Sequence, residues 1–246
     1  GLGDVYKRQA MHREIDMVTT PAGDPVAMVH CNNCTSDLNA WVGLFAEFAE
    51  CFGIKADKNK LFSTLYQKAM EGDKDCGGMI ACNYYSGEPV TGLEEGRPMF
   101  LRRPDSHLGL ANFMRSHLYA SLATLKIGLD ILLKEEDVKI DSITGHGGLF
   151  KTKGVGQSIL AAAMNASISV METAGEGGAW GMALLAAYML FKKDGQSLGD
   201  YLDSRVFAER KSETMEPDLA DVAGFETYTK QYQACLAAEK AAVQAF

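Results

Sequence analysis

The segment DSITGHGGLFKT, Asp141 to Thr152, places three glycines within four residues, after a β-branched run and before a helical one. A second cluster, GEGG, occupies 175–178. Without Cβ atoms, such turns let a flat or anionic group approach the main chain. Free N–H groups and the positive end of a helix dipole then favour phosphate oxygens. A nucleotide is the economical ligand. Neither cluster has Walker A spacing, because Lys151 follows Gly148 after only two residues and no glycine sits five before Gly148. Neither completes G-x-G-x-x-G, since Phe150 and Trp180 fill the last place. Glycine content alone therefore leaves open a plain alternative, tight strand-to-helix connections. Lys151 at a helix start opposes the dipole and calls for an anion, or else it is simply solvated. His146 has no Ser or Cys partner nearby and reads as a satisfied polar side chain. HCNNC at 30–34 lacks the second close ligand pair of a structural zinc, and its Cys-x-x-C precedes a helix as a redox pair would. Small buried residues at a strand end are the plainer reading, and no metal site is expected.

The elements that must position these residues follow from periodicity. Glu14 to Thr20 and Pro25 to Cys31 alternate apolar and polar around PAGD, which predicts a β-hairpin. Leu38, Trp41, Leu44, Phe45, Phe48 and Phe52 fall at helical spacing after a Ser36 or Asp37 cap, and a second helix is predicted over Lys58 to Glu71. GGMIACNYY reads as a short strand, followed by an irregular stretch dense in turn residues. A long helix is predicted over Leu110 to Glu136, with Phe113, Leu118, Leu122, Leu125, Leu129 and Leu132 as its core stripe. VKIDSIT, Lys151 to Asn165, SISVM and Glu176 to Lys193 then read as strand, helix, strand and helix, and Glu226 to Phe246 as a last helix. Strands that run into glycine turns and helices imply a largely parallel sheet, whose ligands collect at the carboxyl ends of the strands.

With 246 residues, 47% hydrophobic and 23% charged, the chain is an ordinary globular one. A net charge of -8 without a basic cluster argues against nucleic acid or an anionic membrane surface. The longest apolar run, Ala179 to Phe191, is too short to span a bilayer. Six cysteines over this length suit a reducing cytoplasm better than a disulfide scaffold. The leader GLGDVYKRQ, residues 1–9, resembles translated sequencing-adapter sequence and is set apart as non-native, which implies a gene that began earlier.

From about Arg97 to Leu190 the sequence resembles the carboxyl-terminal domain of the FGGY family of carbohydrate kinases. Three segments carry the likeness: RPMFLRRPDSHLGLANFMRSHLYASLATLKIGLDIL, ITGHGGLFKTKGVGQSILAA and ETAGEGGAWGMALLAAY. They are similar, in turn, to the family's second signature, to the strand, glycine turn and Gln-Ile-Leu-Ala helix that meets adenosine, and to its Glu-x-x-Ala-x-Gly-Ala-Ala-Leu-Leu-Ala-Ala helix. Two departures occur. His146 replaces a usual glycine, and the interval from Gly148 to Gln157 is one residue longer.

The resemblance implies an α/β fold, an actin-like ATPase (ribonuclease H-like) domain with a mixed sheet and helices on both faces, over residues 10–205. Residues 206–246 are expected as a helical tail on the same domain. It implies phosphoryl transfer from ATP, with Mg2+, to a hydroxyl of a ketose or polyol, with xylulose favoured because the segments look most like that branch. The sugar site and the catalytic base belong to an amino-terminal domain that this stretch lacks. By matched position, Gly145, Gly147, Gly148, Lys151, Gln157 and Gly178 fall to the nucleotide, with Arg103, Asn112 and Arg115 towards its phosphates. Arg102 and Arg103 have the alternative of pairing with Asp105 or with Glu94 and Glu95, and Gly181 reads as a close-packing residue. A non-enzymatic actin-like module that binds a nucleotide or a partner is the other reading. Loss of the partner domain would expose apolar surface, so self-association, for instance as a homodimer, is expected.

Overall fold

A computed structural model describes residues 12–172, 177–208 and 212–245. The leader at 1–9 and residues 175 and 176 of the second glycine cluster lie outside them. The chain forms β1 (Asp16–Thr19), β2 (Pro25–Met28), α1 (Ser36–Cys51), α2 (Lys58–Ala69), β3 (Met79–Cys82), β4 (Met99–Arg102) and α3 (Leu110–Asp130). Then come β5 (Ile143–Gly145), α4 (Val155–Met164), β6 (Ile168–Met171), α5 (Gly177–Phe191), α6 (Leu198–Tyr201), β7 (Ser212–Met215) and α7 (Leu219–Ala245).

The fold is mixed α/β, but the described strands make three small sheets in place of one continuous sheet. β1 and β2 form the expected hairpin, β3 pairs antiparallel with β4, and β5 and β6 pair parallel with β7 antiparallel on the far side of β6. The sheet does not continue past β3 because a helix closes that edge. Tyr228 of α7 brings its hydroxyl within 3.3 Å of both the amide N and the carbonyl O of Ala81, and donates to the Ser116 carbonyl at 2.9 Å. One phenol thus satisfies backbone groups that a further strand would otherwise pair. Burial holds its pKa well above the ordinary tyrosine value, so it stays a donor.

The long helix expected over Leu110 to Glu136 is α3, extended by a π turn over Ile131–Glu135. It runs through the centre of the core. Leu118 and Leu122 of the expected stripe are buried, but so are Met114, Arg115, Ser116, His117 and Tyr119, so the helix is covered on every side. The core also takes Leu38 and Val42 from α1, Leu65 and Tyr66 from α2, much of α4, and Phe225, Tyr228 and Tyr232 from α7. The strand expected over VKIDSIT shrinks to Ile143–Gly145, and the helix expected from Lys151 starts at Val155. A single turn at Gly148–Lys151 precedes it, and Gly154 breaks the run with φ +79°. Among the described residues no helix is long and apolar enough to cross a membrane.

Two polar devices fix the geometry. The Arg115 guanidinium, 1% exposed, pairs with Asp221 of α7 and donates to the Tyr119 hydroxyl at 2.9 Å and 3.2 Å. The Lys74 ammonium, half-exposed, also reaches Asp221 at 2.7 Å. In the second device the Asn33 side chain, buried ahead of α1, accepts from the Tyr85 and Ser86 amides at 2.8 Å and 3.1 Å and donates to the Ser86 carbonyl at 3.0 Å. Beside it the fully buried Glu88 carboxylate accepts from the Asn32 and Asn33 amides, each at 3.1 Å.

Asp221→Ala leaves a cation in the core, so it is expected to cost about 3–5 kcal/mol in chemical denaturation. Lys74→Ala, which removes a half-exposed partner, should cost about 1 kcal/mol or less. Asn33→Ala strips donors and acceptors from buried main chain and is expected to cost about 2–4 kcal/mol in the same assay. Glu239 supplies a pH test. It is fully buried, accepts from the Arg97 amide at 2.5 Å through Oε1, and leaves Oε2 without a partner. Burial raises its pKa, with the Arg97 N–H opposing. The folded state therefore favours the protonated acid, and stability is lost as pH rises through the ordinary glutamate range and above it. Glu239→Gln should melt higher than the parent at about pH 8, with the gap closing towards about pH 4, in thermal melts across that range.

Candidate functional site

Gly145 ends β5 directly beside Val170 of β6, so two parallel strands deliver their carboxyl ends side by side, as the sequence requires of a ligand site. The three glycines of the first turn serve different ends. A Cβ on Gly145 would stand 2.5 Å from the ring of Phe150, so its bareness admits that ring rather than a ligand. Gly147 has φ +108° and ψ -178°, a region that L side chains avoid, and lets the chain reverse. Above Gly147 and Gly148 a Cβ would meet nothing within 4 Å, so the main chain there is open. His146 is exposed.

This turn borders two clefts, and Lys151 and Thr152 line both. The larger, of about 510 Å³, lies between the turn and the two early helices. Thr35 and Asn39 contribute from the start of α1, Asn59, Phe62, Ser63 and Tyr66 from α2, and Gly148 and Leu149 from the turn. Tyr66 is buried, which raises its pKa to about 12 with the Cys34 thiol adding to the shift, so the phenol is neutral. The lining is aromatic, amide, hydroxyl and one lysine. Such a surface suits a planar heterocycle joined to an anion. The smaller cleft, of about 370 Å³, lies over the ends of β6 and β7 and includes Gly154, Gln157, Glu172 and Glu213.

Gln157, assigned from sequence to the nucleotide, lies in that smaller cleft as a buried tie. Its Nε2 donates to the Ile168 carbonyl at 2.7 Å and to the Glu213 carbonyl at 2.8 Å, joining α4 to β6 and β7. Gly178 is exposed on α5, and a side chain at Gly178 or Gly181 would meet nothing within 4 Å, so Gly181 does not mediate the expected close packing. The structure does not bring the remaining three to the glycine turn. Arg115 is held in the core by Asp221. Asn112, also buried, accepts from the Asp73 amide at 2.6 Å and donates to the Asp73 carboxylate and the His107 carbonyl at 2.8 Å and 2.9 Å. Those bonds, with His107 adding to them, lower the pKa of Asp73. Arg103 is exposed and sits 3.3 Å from Asp105, the pairing offered as its alternative.

Sequence reasoning missed the larger cleft's far wall. Asn39, Asn59 and Ser63 sit on the polar sides of helices read only for their apolar stripes, and no pattern in the chain ties them to residue 148. The Cys31 and Cys34 thiols ahead of Thr35 are both pushed up by burial, Cys31 to about 12, so neither is an activated nucleophile. Among the described residues no three His, Cys, Asp or Glu side chains gather around a point where a metal ion would sit.

The model for the FGGY family of carbohydrate kinases, C-terminal domain, matches residues 5–190. No curated protein matches. Among solved structures the chain is similar to the ligand-bound xylulose kinase of Lactobacillus acidophilus, at 16% identity and a TM-score of 0.66, over 92% of this chain and 42% of that one. It is also similar to the xylulose kinase of Rhodospirillum rubrum, at 17% identity and a TM-score of 0.62 with the same coverage. The Plasmodium falciparum glycerol kinase with ADP follows at 18% identity and a TM-score of 0.51, over 80% and 36%. At these identities the likeness is one of fold, and the chain spans about two fifths of the length of those xylulose kinases. With the family model covering most of its length, the chain belongs to the FGGY carbohydrate kinases, of which it carries the carboxyl-terminal domain.

Proposed function

We propose that this chain is the ATP-binding half of a sugar kinase that transfers the γ-phosphoryl group of ATP to a hydroxyl of a ketose or polyol, with xylulose the favoured acceptor. The observation that carries the reading is the bare Gly148, where a Cβ would meet nothing within 4 Å, on the wall of a cleft of about 510 Å³, a volume suited to a nucleotide's base and ribose. In this reading Phe62 and Tyr66 flank the base, while Asn39, Asn59 and Ser63 offer hydrogen bonds to its edge and to the ribose. Gly147 and Gly148 let the first phosphate approach the backbone, and Lys151 supplies positive charge there. Gly145 and Gln157 act one step back, shaping the turn and tying α4 to the sheet, and Gly178, exposed on α5, is assigned to the nucleotide by matched position alone. Mg2+ would enter on the phosphates, since such ions keep their waters and lean on substrate oxygens. Phosphoryl transfer depends on positioning and charge neutralisation, so holding ATP is a sufficient task for this half. The acceptor sugar and the base that deprotonates it fall to the amino-terminal half. The free thiols suit a cytoplasmic protein.

Calorimetric titration of the chain with ATP-Mg is expected to show saturable binding. Ser63→Trp, on an exposed face of α2, fills the cleft without disturbing the core and should weaken that binding by about tenfold or more, ~1.4 kcal/mol. An absence of saturation at about millimolar nucleotide, near the weak end of specific binding, overturns the proposal, as does unchanged affinity in the variant.

A further inference from the structure

The face built by β3, β4 and α7 carries a third cleft that the nucleotide reading does not use. It has a volume of about 310 Å³. Its floor is apolar: Ile80 and Leu101 are cross-strand partners, and Ala234 and Cys235 close it from α7. Its rim is cationic, with Arg102 and Arg103 adjacent on the outgoing strand end. Arg103 is placed there by its surroundings. Its backbone amide donates to Ser106 Oγ at 2.9 Å, and that hydroxyl donates to the Gly78 carbonyl at 2.9 Å. The guanidinium lies over Gly78, 3.1 Å from where a Cβ would stand, so this glycine makes room for it.

Among the described residues neither charge has a buried ion-pair partner. Among the described residues Arg102 has no ion-pair partner. Arg103 has only Asp105, at 3.3 Å with both side chains mostly exposed, an arrangement worth at most about 1 kcal/mol. In a chain of net charge -8, two adjacent guanidinium groups above an apolar floor are a local reversal of sign. The Cys235 thiol in the floor is raised in pKa by burial, so it stays protonated and does not repel an anion.

We infer that this cleft binds a small amphipathic organic anion, whose carboxylate or phosphate pairs with Arg102 and Arg103 while a short alkyl or aryl tail lies over Ile80, Leu101 and Cys235. Guanidinium matches the planar, bidentate geometry of such head groups, and the tail removes apolar surface from water. The inference stands apart from the nucleotide proposal and does not require it.

The probe is octanoate, with octanol as its uncharged counterpart. Iodoacetamide alkylation of the full chain, read by peptide mass mapping, follows Cys235 with Cys34 and Cys51, neither of which lines this cleft, as internal controls. Saturating octanoate is expected to slow Cys235 modification by about tenfold and to leave the two controls unchanged, while octanol slows it far less. The double variant Arg102→Glu, Arg103→Glu should abolish the protection. Calorimetric titration with octanoate gives a second readout, in which Ala234→Trp, on the exposed side of α7, should remove the binding heat. Equal slowing of all three cysteines, equal protection by octanol, protection retained in the double variant, or no octanoate heat in the parent chain each overturns the inference.

Discussion

The pairing of Arg115 with Asp221 sets the course of the last helix and, through it, much of the core. A guanidinium this deeply buried costs several kcal/mol unless a carboxylate meets it and the remaining N–H groups find acceptors. Asp221 meets it from the first turn of α7, where a negative charge also suits the helix dipole. Asp218 caps that turn by accepting from the Ala220 and Asp221 amides, which lowers its own pKa. With the start of α7 fixed, helical geometry carries Tyr228 and Tyr232, seven and eleven residues on, to the same side. Tyr228 closes the edge of β3, and Tyr232 donates to Asn83 at 3.2 Å.

That second contact leads towards the candidate site. Asn83 donates to the Cys34 carbonyl at 2.9 Å, and the same short segment is gripped by Asn33 and Glu88. The chain therefore enters α1 along a fixed path, which brings Thr35 and Asn39 to face the glycine turn. From the other side, Gln157 ties α4 to the ends of β6 and β7 and holds the turn that precedes it. Both walls of the larger cleft are thus set by buried side-chain to backbone hydrogen bonds, which give it a rigid support.

Local grammar was readable from sequence. The hairpin, α1, α2, the centre of α3 and the β5-turn-α4-β6 unit each announce themselves through period and turn residues. Two strands were missed for opposite reasons. β4 is four residues of MFLR between prolines and arginines, and β7 is a polar SETM whose pairing with β6 no local pattern signals. The largest gap concerns charge inside α3. Arg115 and His117 stand off the apolar stripe read for this helix, yet their partners Asp221 and Asp37 lie 106 and 80 positions away. His117 sits among Trp41, Phe100 and Phe113, its Nδ1 3.2 Å from Asp37 Oδ2 but out of line for a hydrogen bond. Position matching against a family placed Arg115 and Asn112 near phosphates, whereas their buried bonds give them structural work. The family itself was legible because three segments together resemble its signatures, and the family model matches a span that contains them.

Within the proposed reading, the composition of the larger cleft decides which half of the chemistry it can serve. Among the described residues its lining holds no carboxylate, its tyrosine is neutral with a pKa of about 12, and its charge is a single lysine. A hydroxyl attacking a phosphoryl group needs its proton accepted, and the described lining offers no carboxylate or histidine for that task. The same set is well matched to the other half of the problem, since a heterocycle gains from aromatic neighbours and a phosphate from open N–H groups and a cation. Charge neutralisation and orientation account for most of phosphoryl-transfer catalysis, so a lobe that supplies them can leave deprotonation to groups brought to it from elsewhere. In the proposed reading, this composition fits the nucleotide side of such a division of labour.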